Sequence, residues 1–348
     1  MTLSKYPDVL ADLRRRIAVG ELPPSSRLPT WDELAASYGV GRPTLMRAMT
    51  ELREDGFVVS DSTRGSYVSA VPPCHRRIAL VFGTGPEEQA QGGWTRFWQA
   101  LEDEARISAP RDGWDLVVYH GVDALHGSPG MAALEADLAA HRLAGVVMSP
   151  HGRLFHLPTR IAGRVPLVQV GGCFSVGDAP SWSLDFAGQR QRCAELLRSA
   201  GATRVAILCT ETSDPAAWRH ALGVAGLGGE DWWQFTSFIA GERMTANLTR
   251  LICTLRPDGL VITDDNLVPG AVLGLQEAGI RIGTDLHVTA HCNWPFPADH
   301  TAPLIHVGFD LGRMLREAVA AVRCGASPGH VVIPAITAAE LAPLPVLV

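Results

Sequence analysis

Residues 30–56 read TWDELAASYGVGRPTLMRAMTELREDG, and two helices with a tight turn between them are legible in that stretch. Thr30 followed by Glu33 is a capping box: the threonine hydroxyl takes an orphan N–H while the glutamate reaches back to the cap. The helix it opens is short and ends near Tyr38-Gly39. Arg42-Pro43 then begins a second helix, with proline as its first residue, where the missing N–H costs nothing. Leu45, Met49 and Leu52 form its buried stripe, and Gly56 terminates it.

Upstream, Val9, Leu10, Leu13 and Ile17 recur at helical spacing up to Gly20, which puts Arg14, Arg15 and Arg16 on the solvent side. Downstream, Phe57–Ser60 and Ser66–Val68 flank a polar turn containing Arg64-Gly65, the pattern of a β-hairpin. Helix, helix, turn, helix and hairpin within residues 1–70 make a winged helix-turn-helix. Its third helix offers a positive dipole, free N–H groups, Arg42, Thr44 and Arg47 to a major groove and its phosphates. Arg64, hinged on Gly65 at the wing tip, suits a narrow minor groove. Arg53 reads as part of a solvated helix face.

From IAVGELPPSSRLPTWDELAASYGVGRPTLMRAMTELREDGFVV to STRGSYV, the chain resembles the DNA-binding domain of the gluconate-repressor (GntR) family. The resemblance implies DNA contacts by Arg42, Thr44 and the wing around Arg64-Gly65. Three positions depart from the family pattern. Trp31-Asp32 replaces Ser-Glu, Thr63 replaces the first wing glycine, and Met46 stands where arginine is usual, with Arg47 beside it. The Met46 exchange removes a basic contact and implies an operator different from the common one.

The remainder of the 348 residues is too long for one core and matches two further lobes. Hydrophobic residues at 47% against 19% charged describe a globular chain. Residues 1–76 carry 10 basic and 9 acidic side chains, against 20 and 27 over 77–348, so only the head escapes the net negative charge. Lys5 is the sole lysine, which excludes a G-K-[ST] phosphate loop and a Schiff-base lysine in the main body. Cys74, Cys173, Cys193, Cys209, Cys253, Cys292 and Cys324 are scattered without a C-x-x-C pair, as in a reduced intracellular chain. No signal-like or membrane-length apolar run is present, so the expected location is the cytoplasm with no membrane partner.

Val71–Arg76 (VPPCHR) reads as a short, stiff connector of polyproline character. Beyond it, strand-like runs at 78–82, 114–119, 145–149, 165–170, 204–209, 259–263 and 286–292 alternate with helices near 95–106, 131–141, 187–200, 214–223, 245–254, 267–279 and 311–323. Short apolar strands between helices mean parallel sheets covered on both faces. The expected fold class is therefore α/β with a small α+β N-terminal domain: a winged helix-turn-helix followed by a two-lobed, doubly wound domain. The lobes are expected over 77–175 plus 305–348 and over 176–304, with ligand in the cleft between them. Phe82-Gly83-Thr84-Gly85-Pro86-Glu87 lacks the third glycine of a dinucleotide loop, and its acids repel a pyrophosphate, so no cofactor is expected. His287 and His291 on a strand stand about 13 Å apart, too far to share an ion, so no metal is expected either.

From about Arg77 to Ile336 the chain resembles the ligand-binding domain of the LacI/GalR repressors, which is periplasmic-binding-protein-like. Ser183-Leu184-Asp185 with the later LLRSAGATRVAIL, Pro257–Asp265 (PDGLVITDD) and Gln276–Leu286 (QEAGIRIGTDL) carry that resemblance. It implies ligand contacts by Trp94, Phe97, Asp185, Arg219 and Asp264. The family's G-F-D is His291-Cys292-Asn293 here, so Asn293 stands where a ligand-gripping aspartate is usual. Planar aromatics and bidentate Asp, Asn and Arg suit a sugar's apolar face and hydroxyls. Trp94, Trp218 and Trp294 read either as such faces or as packing; Asp264-Asp265 also as a helix cap; Arg219 also as an ion pair with Asp214.

The expected function is a ligand-responsive transcriptional regulator, most simply a repressor. Its partners would be double-stranded operator DNA, a carbohydrate-like effector and a second copy of itself as a homodimer. A hydrolase using cleft carboxylates has no G-x-S-x-G elbow or paired catalytic motif behind it. A solute-binding protein would need export.

Overall fold

A computed structural model describes residues 6–61, 65–172, 176–228, 233–239, 241–324 and 329–341. The first unit comprises α1 (Tyr6–Ala18), α2 (Trp31–Tyr38), α3 (Arg42–Glu54), β1 (Val58–Asp61) and β2 (Gly65–Val68). The capping box at Thr30 forms, and α2 ends on Gly39 at φ +63°, a left-handed turn that favours glycine. α3 is capped by Gly41, so Arg42 is its first residue and Pro43 its second, one position later than the sequence reading. β1 and β2 are antiparallel, with Val58 opposite Val68 and Asp61 opposite Gly65.

Val9, Leu13, Ile17, Leu45, Leu52 and Phe57 meet with no exposed surface in the middle of this unit. Burying each such side chain contributes roughly 1.5–3 kcal/mol. Arg14 corrects the solvent-side reading of the three arginines: it is only 6% exposed. Because α1 packs across α3, position 14 faces the acidic C-terminal turn of α3, and its guanidinium bonds Glu51 and Asp55. The connector also differs from expectation. Pro73–Arg76 form a single helical turn, α4, because Pro73 sits at its start, where a prolyl ring fits.

The first lobe contains β3 (Arg77–Val81), α5 (Arg96–Arg111), β4 (Asp115–Tyr119), α6 (Pro129–Ala139), β5 (Gly145–Met148), α7 (Leu157–Ile161), β6 (Leu167–Val170) and β7 (Ser181–Leu184). The second contains α8 (Phe186–Ser199), β8 (Val205–Thr210), α9 (Pro215–Val224), β9 (Gln234–Ser237), α10 (Glu242–Thr254), β10 (Gly259–Ile262), α11 (Val268–Glu277), β11 (His287–Trp294) and β12 (Ile305–Asp310). The chain then returns through α12 (Leu311–Cys324) and β13 (His330–Ile333) to β14 (Ala335–Ile336), the last strand among the described residues.

Two six-stranded sheets result, ordered β13-β7-β6-β5-β3-β4 and β14-β12-β11-β10-β8-β9. Every pair in them is parallel except β12 with β14. β5, β8 and β10 are buried throughout, as strands covered by helices on both faces must be.

Strand pairing shifts the expected lobe boundaries. β7 belongs to the first sheet and β12 to the second, so the chain crosses after Leu184, after Asp310, and between Ile333 and Ala335. The physical reason is register: β7 pairs on β6 and β12 on β11, each continuing the sheet already begun.

Candidate functional site

The head presents one coherent outer face. Leu45, Ala48, Met49 and Leu52 turn inward from α3, which leaves Arg42, Pro43, Met46, Arg47, Thr50 and Arg53 exposed and Thr44 half-buried. No side chain caps the N-terminus of α3, and its first turn holds no acid. Its free N–H groups and partial positive charge therefore face solvent, an arrangement that attracts phosphate oxygens. Arg42 lies at that leading end, on the rim of a recess shared with Trp31, Pro43 and Met46.

Arg47 and Arg53 behave differently from Arg42. The Arg47 guanidinium lies over the ring of Tyr6 on α1, 3.8 Å from its centroid. Arg53 folds onto its own helix, donating to the Met49 carbonyl at 3.1 Å and to Thr50 Oγ1 at 3.1 Å. Gly65, at φ +100°, begins β2 beside Arg27. Arg64 at the wing tip lies outside the described residues.

The large domain gathers a second set of side chains where strands end. On the first lobe, Phe82 follows β3 and packs edge-on to Trp94 at 5.0 Å, while His120 stacks on Phe82 at 5.8 Å. Trp98 lies 5.9 Å from Trp94 and 5.6 Å from His151, and its indole N–H donates to Ser149 Oγ at 2.9 Å. His120 Nε2 is 2.7 Å from Glu102. Burial works against ionisation of Glu102, but hydrogen bonds from His120 and Arg106 outweigh it and hold that carboxyl below its ordinary range. Burial and the nearby Arg153 push His151 down.

Across the cleft, the lobes meet at Arg96, the first residue of α5. Its backbone N–H donates to Asn266 Oδ1 at 3.0 Å and its Nε to Asp265 Oδ2 at 3.3 Å. Asn293 Nδ2 donates to the same Asp265 oxygen at 2.9 Å. Gln189 reaches His291 Nδ1 at 2.6 Å and the Val307 carbonyl at 3.0 Å. Asp265 and Asn293 are buried, and Asn293 Oδ1 has no partner. Burial raises the Asp265 carboxyl above its ordinary value, against the opposing charges of His291 and Arg96.

Of the residues expected to hold ligand, the structure brings Trp94 and Phe97 to the first-lobe side and Asp264 and Asn293 to the second. Trp94 is 2% exposed, with its N–H on Gln99, so it packs more than it faces solvent. Asp264 caps the turn of Asp265–Leu267 through Asn266, and Asp185 caps α8 through Gly188. Trp218 and Trp294 are both buried, Trp294 bonding the Ile336 carbonyl. Arg219 is exposed on α9, and Asp214 caps that helix through Ala217, with no hydrogen bond or ion pair joining the two among the described residues. Arg96 and His120 escaped the sequence reading, and Asp265 was read only as one of a doublet with Asp264. Nothing local in the sequence signals the contact of Arg96 with Asp265, which are 169 residues apart.

Among the described residues, no group of three or more His, Cys, Asp or Glu side chains is placed to hold a metal ion. No helix among them is long and apolar enough to cross a membrane.

Residues 5–68 match the family of bacterial regulatory proteins, gntR family, and residues 194–335 match the periplasmic binding protein-like domain. The chain is similar to the HTH-type transcriptional repressor NagR of Bacillus subtilis strain 168, 23% identical over 164 residues, covering 46% of this chain and 60% of NagR. It is also similar to the uncharacterized HTH-type transcriptional regulator YurK of the same organism, 33% identical over 67 residues, covering 19% of this chain and 27% of YurK. In both cases the match spans less than two thirds of the relative's own length. The large domain is similar in fold to a LacI family transcriptional regulator from Arthrobacter sp. FB24 in complex with lactose. That likeness has a TM-score of 0.58 at 17% identity and covers 75% of this chain and 97% of that one.

Proposed function

We propose that this chain, a gntR-type helix-turn-helix joined to a periplasmic binding protein-like domain, is a ligand-responsive transcription regulator, most simply a repressor. The observation that carries the reading is the leading end of α3: without a side-chain cap, free of acids, edged by Arg42, and mounted on a helix whose other face is fully buried. Such an end offers N–H groups and a guanidinium to a phosphate and to base edges at once. Arg42, Thr44, Arg47, Arg64 and Gly65 form the DNA face in this reading, with Arg47 leaving Tyr6 to reach its phosphate.

The effector is a carbohydrate or a related polyhydroxyl metabolite held between the lobes. The unpaired Oδ1 of Asn293 and the aromatic nest of Phe82, Trp94 and Trp98 support that choice, and Phe97, Asp185 and Asp264 complete the proposed ligand set. The lactose named with the Arthrobacter regulator is consistent with it. Arg219, exposed on α9, is the cation of that proposed set. A homodimer places two heads on two half-sites, and effector binding changes their spacing.

Gel-shift with the DNA upstream of the gene tests the first part. A salt-sensitive specific complex, weakened at least about tenfold by Arg42→Ala with Arg64→Ala, is expected. Unchanged binding would refute the DNA face. Isothermal titration against a carbohydrate panel tests the second. Asn293→Ala and Arg219→Ala should each lower the affinity of the sugar that binds, and indifference of both would refute the pocket.

A further inference from the structure

Met46 is 58% exposed in the middle of the outer face of α3. It stands one helical turn beyond Arg42 and Pro43, on their side of the helix. Trp31, the first residue of α2, closes the other side: its ring is half-buried because its body packs against the core of the head. Between Trp31, Arg42, Pro43 and Met46 lies an open recess of about 350 Å³. Three of its four walls are apolar. The fourth is a guanidinium, and the adjoining end of α3 is positive and without acid, while Asp32 and Glu33 follow Trp31 in the first turn of α2, so the anion-attracting side of the recess is that of α3. Arg47, the neighbouring cation, is drawn away onto Tyr6 and does not cover Met46.

We infer that this recess receives the 5-methyl group of thymine in the major groove, which makes Met46 a specificity-determining residue of the DNA face. The inference rests on the DNA-reading function proposed above and names what that face reads. A thioether donates no hydrogen bond and accepts only weakly, so it leaves the N7 and O6 acceptors of guanine unpaired and satisfies the amino groups of adenine and cytosine poorly. Thymine alone offers an apolar group at the major-groove edge. Trp31 and Pro43 complete the contact with rigid apolar surface, and Arg42 binds the flanking phosphate. Arginine at position 46 would instead select guanine, the base whose acceptors match a guanidinium.

The test uses the full chain and duplexes enriched by it from a random-sequence pool. Each thymine of the enriched duplex is replaced in turn by deoxyuridine, which removes only the methyl group, and affinity is read by fluorescence anisotropy. One thymine per half-site is expected whose replacement weakens binding about fourfold, the worth of one buried methyl. Met46→Ala should erase that difference, and Met46→Leu should keep it. Because residue 46 is exposed, both variants are expected to fold, as an unchanged melting curve will show. Enrichment without any methyl-sensitive thymine, or sensitivity that survives undiminished in Met46→Ala, overturns the inference and leaves the DNA-reading function standing. Failure to enrich any sequence overturns both.

Discussion

Arg142, between α6 and β5 of the first lobe, bonds Asp55 at the end of α3 with Nη2 3.0 Å from Oδ1. The same carboxylate takes Arg14 of α1, and Arg142 also holds Asp137, which accepts from the Tyr119 hydroxyl. Tyr119 directly precedes His120, a member of the aromatic nest. A run of polar contacts thus joins the Tyr119 side chain, at the end of β4, to the foot of α3.

Arg142→Met cuts that chain and leaves Asp55 to Arg14 alone. Loss of one charge-assisted, partly buried bond costs about 2 kcal/mol. Calorimetry should then show the head melting several degrees earlier than in the parent, separated from the large domain. An unaltered thermogram would mean that the two units are not joined through this pair.

Arg96 and Asp265 make a second testable pair, this time between lobes. Arg96→Met removes the cation that faces the buried Asp265 carboxyl and should cost about 2 kcal/mol in urea unfolding. That is less than a fully enclosed pair would lose, since the Arg96 side chain is one-third exposed. Adding Asp265→Asn removes the carboxyl left without its cation and should restore most of the loss. If the double variant is no more stable than the single one, Asp265 is not a burdened carboxylate.

His306 carries a pH prediction. Burial, with the charge of His300 beside it, lowers its imidazole to about 4. The two rings meet at 2.8 Å through their Nε2 atoms, and both Nδ1 atoms are buried without partners. A histidine depressed in the folded state contributes stability above its unfolded value near 6.5. That contribution is lost as pH falls through the folded value near 4. Melting temperature should therefore fall between those limits, and His306→Leu should flatten the fall. A parallel slope in the variant would assign the acid sensitivity elsewhere.

The head was legible because its signals are local. A capping box, a prolyl helix start and an apolar stripe each act within a few residues, and Thr30, Pro43 and Leu45 all serve as read, Pro43 one position further in. Arg14 was misread because an arginine at that spacing looks solvated until α3 lays Glu51 and Asp55 against it. In the large domain, the apolar central strands announced themselves, while β7, β9, β12, β13 and β14 did not. All of these but β12 are four residues or fewer, and β9, β12 and β13 are partly exposed, so their partners rather than their composition make them strands.

The contact between the lobes was legible to within a residue at one point and hidden at another. Of the doublet Asp264-Asp265, the first caps a turn and the second enters the lobe interface, and no local rule distinguishes the two roles. Arg96, between Thr95 and Phe97, has the composition of an exposed helix start. Only the approach of the other lobe, with Asn266 and Asp265 on it, turns it into a bridge.

Footprinting of the upstream DNA by the full chain weighs the whole account in one observation. A winged helix on each of two protomers predicts two protected patches, separated by one helical turn of DNA or a small multiple of it, and their loss with Arg42→Ala. Even cleavage across the region, at protein concentrations that do not yet coat DNA indiscriminately, would contradict it.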